Sequence, residues 1–274
     1  MTIQNIYTVY FSPTGGTRKI AVALSYNLSQ LLHIPTQNIN LTNLANRQMS
    51  YDFDADSLVI LAVPVYAGRI PNKLLPDLEK CLNGSGKTAI ISISVYGNRN
   101  YDEALREMLL LVEKHGFIPI GAAVMISQHA FSSHVAKGRP DTLDFELLAD
   151  FSKKIARKIL NNPDLTGITY DRDTPVGPYY TPLKSDHTPA RFLKAKPVTD
   201  MSKCNNCGIC AQKCPMGSIS ADSVSDVSGI CIKCQACVKL CPTHAKYFTD
   251  TDFLSHVEML ENTYTKRQEP TFLF

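Results

Sequence analysis

The chain has 274 residues, with 28 Lys+Arg against 25 Asp+Glu and a formal net charge of +3. That length admits one large domain or two ordinary ones, and 44% hydrophobic against 19% charged residues is a globular composition, not a disordered one. Near-neutrality gives no electrostatic case for nucleic acid as a partner, no apolar run approaches the ~18 residues of a bilayer span, and Met1-Thr2-Ile3-Gln4-Asn5 lacks the basic-then-apolar pattern of a secretory signal, so a cytoplasmic location is expected.

Up to about residue 160, strand-like and helix-like segments alternate. Ile3 to Phe11 is short, rich in β-branched and aromatic residues, and stops at Ser12-Pro13, as a strand does. Thr17 to about Leu32 has apolar residues three and four apart and reads as a helix. Ser57 to Val65 is an almost continuous apolar run, expected of a strand covered on both faces. Leu74 to Leu82 follows as a short helix and Thr88 to Val95 as another buried strand. Asp102 to His115 is helical, with an acidic start and a basic end that match the macrodipole. Phe117 to Ile126 is a further strand and Asp144 to Leu160 an amphipathic helix. This alternation implies βαβ units and a parallel sheet.

Periodicity is then lost. Pro163, Pro175, Pro178, Pro182, Pro189 and Pro197 make a stiff connector, and Tyr179, Tyr180 and Phe192 within it imply that it packs on a domain. The chain accordingly divides into residues 1–162, a proline-rich linker over 163–199, a cysteine-rich unit over 200–250, and a helix with a tail over 251–274.

Eight of the nine cysteines lie between Cys204 and Cys241. Cys204, Cys207, Cys210 and Cys214-Pro215 are repeated 27 positions later as Cys231, Cys234, Cys237 and Cys241-Pro242, an internal duplication. Two-residue gaps let three thiolates grip three corners of a cube, while the fourth, released by a three-residue step and followed by proline, ligates the other cluster. One [4Fe-4S] cluster is thus assigned to Cys204, Cys207, Cys210 and Cys241, and a second to Cys231, Cys234, Cys237 and Cys214. The alternative is zinc, whose four-cysteine sites use CxxC pairs separated by a longer loop.

Ser12-Pro13-Thr14-Gly15-Gly16-Thr17 lies between the first strand and the first helix, where unpaired amides and the helix dipole attract an anion. A lysine-free cradle suits one terminal monophosphate; the plain alternative is a helix-capping turn. Pro64 to Pro71 and Ser94 to Tyr101 each leave the C-terminal end of a buried strand and set a tyrosine near a glycine, as a flat isoalloxazine would need. Three such loops on one sheet edge point to FMN.

Through S-P-T-G-G-T, P-V-Y-A-G-R-I-P and S-V-Y-G-N-R-N-Y-D-E-A-L, residues 1 to about 160 resemble the flavodoxin family. The cysteine unit resembles bacterial two-cluster ferredoxins, and the whole chain resembles the flavodoxin–ferredoxin fusion proteins (flavoferredoxins) of anaerobic microbes. The resemblance implies an α/β fold: a flavodoxin-like five-stranded parallel sheet, order 2-1-3-4-5, with helices on both faces, plus a small α+β two-cluster ferredoxin domain. It implies that Ser12, Thr14, Gly15, Gly16 and Thr17 hold the phosphate, and that Tyr66, Ala67, Gly68, Tyr96, Gly97 and Asn98 contact the ring. The continuation Asn98-Arg99-Asn100-Tyr101 departs from ordinary short flavodoxins.

Three weaker signals are set aside. Gly84-Ser85-Gly86-Lys87-Thr88 imitates the end of a nucleotide P-loop, but Cys81 stands where its first glycine belongs and a strand follows. Cys81 is read as a half-buried structural thiol. His129 and His134 are read as plain loop residues, with a place bordering the flavin as the alternative. The expectation is an intracellular electron-transfer protein relaying electrons between FMN and two [4Fe-4S] clusters, with redox-protein donors and acceptors. The alternatives are a flavin-dependent reductase of a small molecule fed by the clusters, and a redox-sensing adaptor. No catalytic acid–base or nucleophile pair and no G-x-G-x-x-G nicotinamide fingerprint are evident.

Overall fold

The computed structural model describes residues 3–162 and 164–274; the expectations touching Met1, Thr2 and Pro163 lie outside the described residues. In chain order come β1 (Asn5–Tyr10), α1 (Gly16–Leu32), β2 (Thr36–Asn40), α2 (Leu44–Arg47), β3 (Tyr51–Phe53), β4 (Ser57–Pro64), α3 (Leu75–Cys81), β5 (Leu82–Gly84), β6 (Thr88–Tyr96), α4 (Ala104–Lys114), β7 (Phe117–Ile126) and α5 (Thr142–Asn161). After the connector come β8 (Val198–Thr199), α6 (Ile209–Gln212), α7 (Ala236–Lys239), β9 (Lys246–Tyr247), α8 (Thr251–Thr263) and β10 (Thr271–Leu273).

The main sheet runs β10-β7-β6-β4-β1-β2. Its five parallel strands, counted in chain order, read 2-1-3-4-5, the doubly wound flavodoxin-like order. The apolar run of β4 is explained by its two faces. Leu58, Ile60 and Ala62 pack with Leu24 of α1 and Phe151 of α5, while Val59, Leu61 and Val63 pack with Leu78 of α3 and Met108 of α4. Strand β2, Thr-Gln-Asn-Ile-Asn, is exposed along nearly all its length and is held by its parallel ladder to β1, from Ile6↔Thr36 to Tyr10↔Asn40. Among the described residues, no helix is long and apolar enough to cross a membrane.

Two expectations are corrected. The C-terminal residues are not a free tail: β10 pairs antiparallel with β7, Phe272 opposite Ala123, and the Phe272 ring stacks on Phe151 at 4.9 Å. Cys81 is fully buried, not half-buried; burial and the nearby Asp77 push its thiol up to about 11, which keeps it an unreactive core group.

The connector lies along the sheet domain. Ile168 N–H donates to the Pro119 carbonyl at 2.8 Å, and Arg106 donates to the Thr174 and Pro175 carbonyls. Arg69 donates to the Gly177 carbonyl and sits 4.7 Å from the Tyr179 ring centre; Arg99 sits 3.9 Å from that of Tyr180.

In the cysteine unit, β8 and β9 form a two-stranded antiparallel ribbon beside α6 and α7. The 27-residue duplication extends to its backbone. Left-handed residues Asn206, Gly208 and Gly217 (φ 53°, 71° and 60°) have counterparts Lys233, Gln235 and His244 (φ 55°, 64° and 52°). The amides of Asn206 and Ser218 donate to the sulfurs of Cys204 and Cys214 at 3.4 and 3.3 Å. Those of Lys233 and Ala245 donate to Cys231 and Cys241 at 3.4 and 3.2 Å.

Because β10 covers the outer edge of β7 through one stacked ring and a short ladder, Phe272→Ala is expected to destabilise the fold by about 2 kcal/mol, below a fully buried Phe→Ala. Chemical denaturation of the two proteins measures this, and an unchanged midpoint would contradict it.

Candidate functional site

The first loop opens α1 with Gly15 at φ 91° and no side chain capping the helix. Ser12 Oγ accepts the Arg18 N–H at 2.9 Å, which leaves its own hydrogen free, and Gly15 at the helix start offers the Gly16 and Thr17 amides no side-chain acceptor. Gly16 is packed close against Ser127: a Cβ there would stand 2.1 Å from Ser127 Oγ, which would have to turn away.

The second loop is a tight turn closed by Tyr66 and Arg69, whose mutual backbone bonds measure 2.9 and 3.2 Å. Ala67 and Gly68 occupy its corners at φ 49° and 78°, the pattern of a primed hairpin turn. Buried Glu107 fixes it from beneath, accepting from Arg69 at 2.5 Å and from the Ile70 N–H at 2.9 Å. The Ala67 carbonyl accepts Tyr180 N–H at 2.8 Å and the Gly68 carbonyl accepts Glu103 N–H at 3.0 Å, so both oxygens already have donors.

The third loop brings Gly97 against His129, whose Cδ2 would lie 2.4 Å from any Cβ at that position. His129 Nδ1 accepts the Phe131 N–H at 3.1 Å, which places the neutral ring's proton on Nε2. Burial, aided by the positive surroundings of His256, Lys239 and Arg99, pushes His129 down to about 3.

The three loops surround one cavity of about 550 Å³ at the carboxyl ends of the strands. Ser12, Thr14, Gly16, Thr17, Tyr66, Ala67, Gly68, Tyr96 and Gly97 line it; Gly15 and Asn98 do not. The Asn98 expectation is corrected for a physical reason. Its buried amide donates to the carbonyls of Tyr264 and Lys266 at 2.9 and 2.8 Å, and its carbonyl accepts the Gln268 N–H at 3.3 Å, so the side chain anchors the C-terminal segment.

Further walls come from outside the three loops. Ser127 and Gln128 follow β7, Tyr179, Tyr180 and Phe192 belong to the connector, and Ile230 to Lys233 belong to the cysteine unit. The aromatic connector was the available signal. A 550 Å³ enclosure with an anion-binding helix end, glycine-floored loops and aromatic walls fits a phosphorylated planar cofactor.

The eight clustered cysteines face two smaller cavities, four apiece. Cys204, Cys207, Cys210 and Cys241 line one; Cys214, Cys231, Cys234 and Cys237 line the other. Each cavity is walled by four thiols, the donor set that an iron–sulfur group takes. Burial pushes Cys234 and Cys237 each up to about 12; without a positive centre to take the place of the proton they stay thiols. Burial first, then the neighbouring Cys234 and Cys231, push the Tyr66 phenol well above the ordinary value.

Polar tethers hold the cysteine unit in place. Arg47, its side chain 1% exposed, pairs with Asp77 at 2.7 Å and donates to the carbonyl of Pro215, next to Cys214. Lys239 Nζ donates to the His129 carbonyl at 2.9 Å.

Residues 197–220 match the family described as "4Fe-4S binding domain". No curated protein matches the chain. Among solved structures, it is similar to a flavodoxin of Streptococcus pneumonia TIGR4, at 20% identity over 56% of this chain and 99% of that one, with a TM-score of 0.41. A short-chain flavodoxin associated with a non-canonical PDU bacterial microcompartment gives 14% identity over 58% and 99%, with a TM-score of 0.40. Rubredoxin oxygen:oxidoreductase from Desulfovibrio gigas gives 14% over 58% of this chain and 37% of that one, also at 0.40.

His129 is expected to stay neutral down to mild acid. An unfolded chain takes up a proton near pH 6.5 that the folded ring refuses until about pH 3, so this residue's contribution to stability falls as pH drops through that window. NMR titration of its ring should be flat from pH 8 to about 5; a step near 6.5 would contradict the burial described.

Proposed function

Starting from a 4Fe-4S binding domain joined to a sheet of flavodoxin order, we propose that this is a cytoplasmic electron-transfer protein. In this reading residues 1–162 bind FMN, 163–199 form a strap, 200–250 carry two [4Fe-4S] clusters, and 251–274 return to brace the sheet. The observation that carries it is the shared wall: Cys231, Ile232 and Lys233 line the same cavity as the Ser12–Thr17 anion cradle. A cysteine of one quartet therefore stands within the enclosure proposed for the flavin.

The residues divide the work. The hydroxyls of Ser12, Thr14 and Thr17 and the Gly16 and Thr17 amides receive a phosphate. Gly68 and Gly97 keep the loops close enough for backbone to reach a ring, and Tyr66 and Tyr96 supply its aromatic walls. Cys204, Cys207, Cys210 and Cys241 hold one cluster; Cys231, Cys234, Cys237 and Cys214 hold the other. FMN, when bound, supplies a two-electron carrier able to exchange electrons singly, matching the one-electron capacity of each cluster. Joining the sites in one chain replaces diffusional encounter with a fixed neighbourhood. Tyr179, Tyr180 and Phe192 occupy wall that a small substrate would need, which favours a relay between redox proteins over a reductase acting at the flavin.

Anaerobic purification followed by iron, sulfide and flavin analysis tests this reading. About eight irons, eight sulfides and one FMN per chain are expected. Zinc in place of iron, or a protein without flavin, would overturn it.

A further inference from the structure

The two cysteine quartets are chemically alike but differently placed. Cys231, Ile232 and Lys233 wall both the quartet cavity that contains Cys234 and the large loop cavity, so those two enclosures share a partition. The quartet cavity of Cys204, Cys207, Cys210 and Cys241 shares no lining residue with the large cavity. Exposure runs the opposite way. Cys207 is exposed between exposed Asn205 and Asn206 on one side and half-buried Gly208 on the other, whereas Cys234 and Cys237 are buried. Cys210 and Cys237 pack in one apolar cluster with Ile219 and Val224, so the two quartets adjoin.

Resting on the proposed reading of the quartets as cluster sites, we infer that they form an ordered pair. The Cys214/Cys231/Cys234/Cys237 site is inner and exchanges electrons with the flavin cavity across Cys231–Lys233. The Cys204/Cys207/Cys210/Cys241 site is outer, and the surface around Cys207 is the docking face for a protein that carries one electron at a time. The occupant is a protein because the ribbon walling the outer cavity, with the turn after it, leaves Val198, Met201 and Tyr247 exposed by 36, 53 and 45%. Exposed apolar side chains on the ribbon that walls this cavity suit a protein interface and give nothing to a small hydride donor.

The balance is simple. Each docking event oxidises the partner by one electron and reduces the outer site by one, and the electron passes inward past Cys210 and Cys237. Two events, with protons from solvent, fill the two-electron capacity of a flavin. The reverse sequence reduces two oxidised partners.

The test uses reduced holoprotein and electron paramagnetic resonance. A gadolinium chelate confined to solvent should speed relaxation of one cluster signal far more than the other, and a nitroxide attached at Tyr247→Cys should broaden that same signal. Cys207→Ser should alter it, while Cys234→Ser should alter the shielded one. If either ligand variant fails to assemble, the gadolinium and nitroxide arms still decide. Stopped-flow mixing with a reduced bacterial ferredoxin as the probe partner should show flavin bleaching at least tenfold slower in a Met201→Glu/Tyr247→Asp variant. Two signals relaxed equally, a nitroxide that broadens the shielded signal, or bleaching unchanged in the surface variant would overturn the ordering while leaving the relay intact. A holoprotein with fewer than two cluster signals would overturn the relay reading and the ordering with it.

Discussion

The arrangement depends on how a cysteine unit with little apolar core of its own is held against the carboxyl end of a well-packed sheet. That unit buries only Cys210, Ile219, Val224 and Cys237 as its own cluster, too little for about 50 residues to fold unaided. Thiolate–metal bonds make up such a deficit in small domains, but they do not orient the unit. Orientation comes from groups with a specific direction: the buried Arg47 guanidinium on the Pro215 carbonyl, Lys239 on the His129 carbonyl, and Lys233 on the Leu193 carbonyl of the connector. Each reaches a backbone oxygen beside either a cysteine quartet or the loop cavity, so the fit of the two units and the shape of the site are one constraint.

Arg47 shows how much rests on such a contact. Its charge is almost wholly removed from water, which is costly unless every donor finds an acceptor. Asp77 balances the charge at Nε, the carbonyls of Leu41, Thr42 and Pro215 accept from the two terminal nitrogens, and the guanidinium lies 5.5 Å from the Phe11 ring centre. Removing Pro215 from this set would leave a buried donor unpaired, so the docked position is favoured by the sheet domain's own electrostatics.

Much of this was legible in the residues. Strands β1, β4, β6 and β7 announced themselves because a sheet covered on both faces leaves no polar alternation, and the 27-residue cysteine offset marked a duplication that the backbone repeats. Strand β2 carries no such mark: Thr36–Asn40 lies at an open edge, held by a parallel ladder with β1, and Ile39 alone among its side chains packs against the core. Strand β10 was unreadable because three residues cannot show a period. Asn98 was misplaced because a loop residue after a strand end has two directions open to it. What decides between them is the position of Tyr264 to Gln268, more than 160 residues downstream. The connector's share of the cavity wall was invisible for the same reason; its aromatics declared that it packs, not on what.

The duplication also drifted in an informative way. Where the first half has glycine at two left-handed positions, Gly208 and Gly217, the second has Gln235 and His244, and Lys233 stands opposite Asn206. A non-glycine residue in that conformation costs roughly 1–2 kcal/mol, so an unneeded side chain there would be a simple loss. Two of the three have work to do. Gln235 is buried, with its amide on the Lys233 carbonyl, and Lys233 reaches the connector at Leu193 while lining the loop cavity. For His244 the structure supplies no comparable contact. At Lys233 and Gln235 the second half accepts strain in exchange for contacts, whereas at Gly208 and Gly217 the first half keeps the residue that adopts this conformation cheaply. Departure from internal symmetry at Lys233 and Gln235 thus ties this turn to the connector and the loop cavity, and that tie is independent of which thiols are buried.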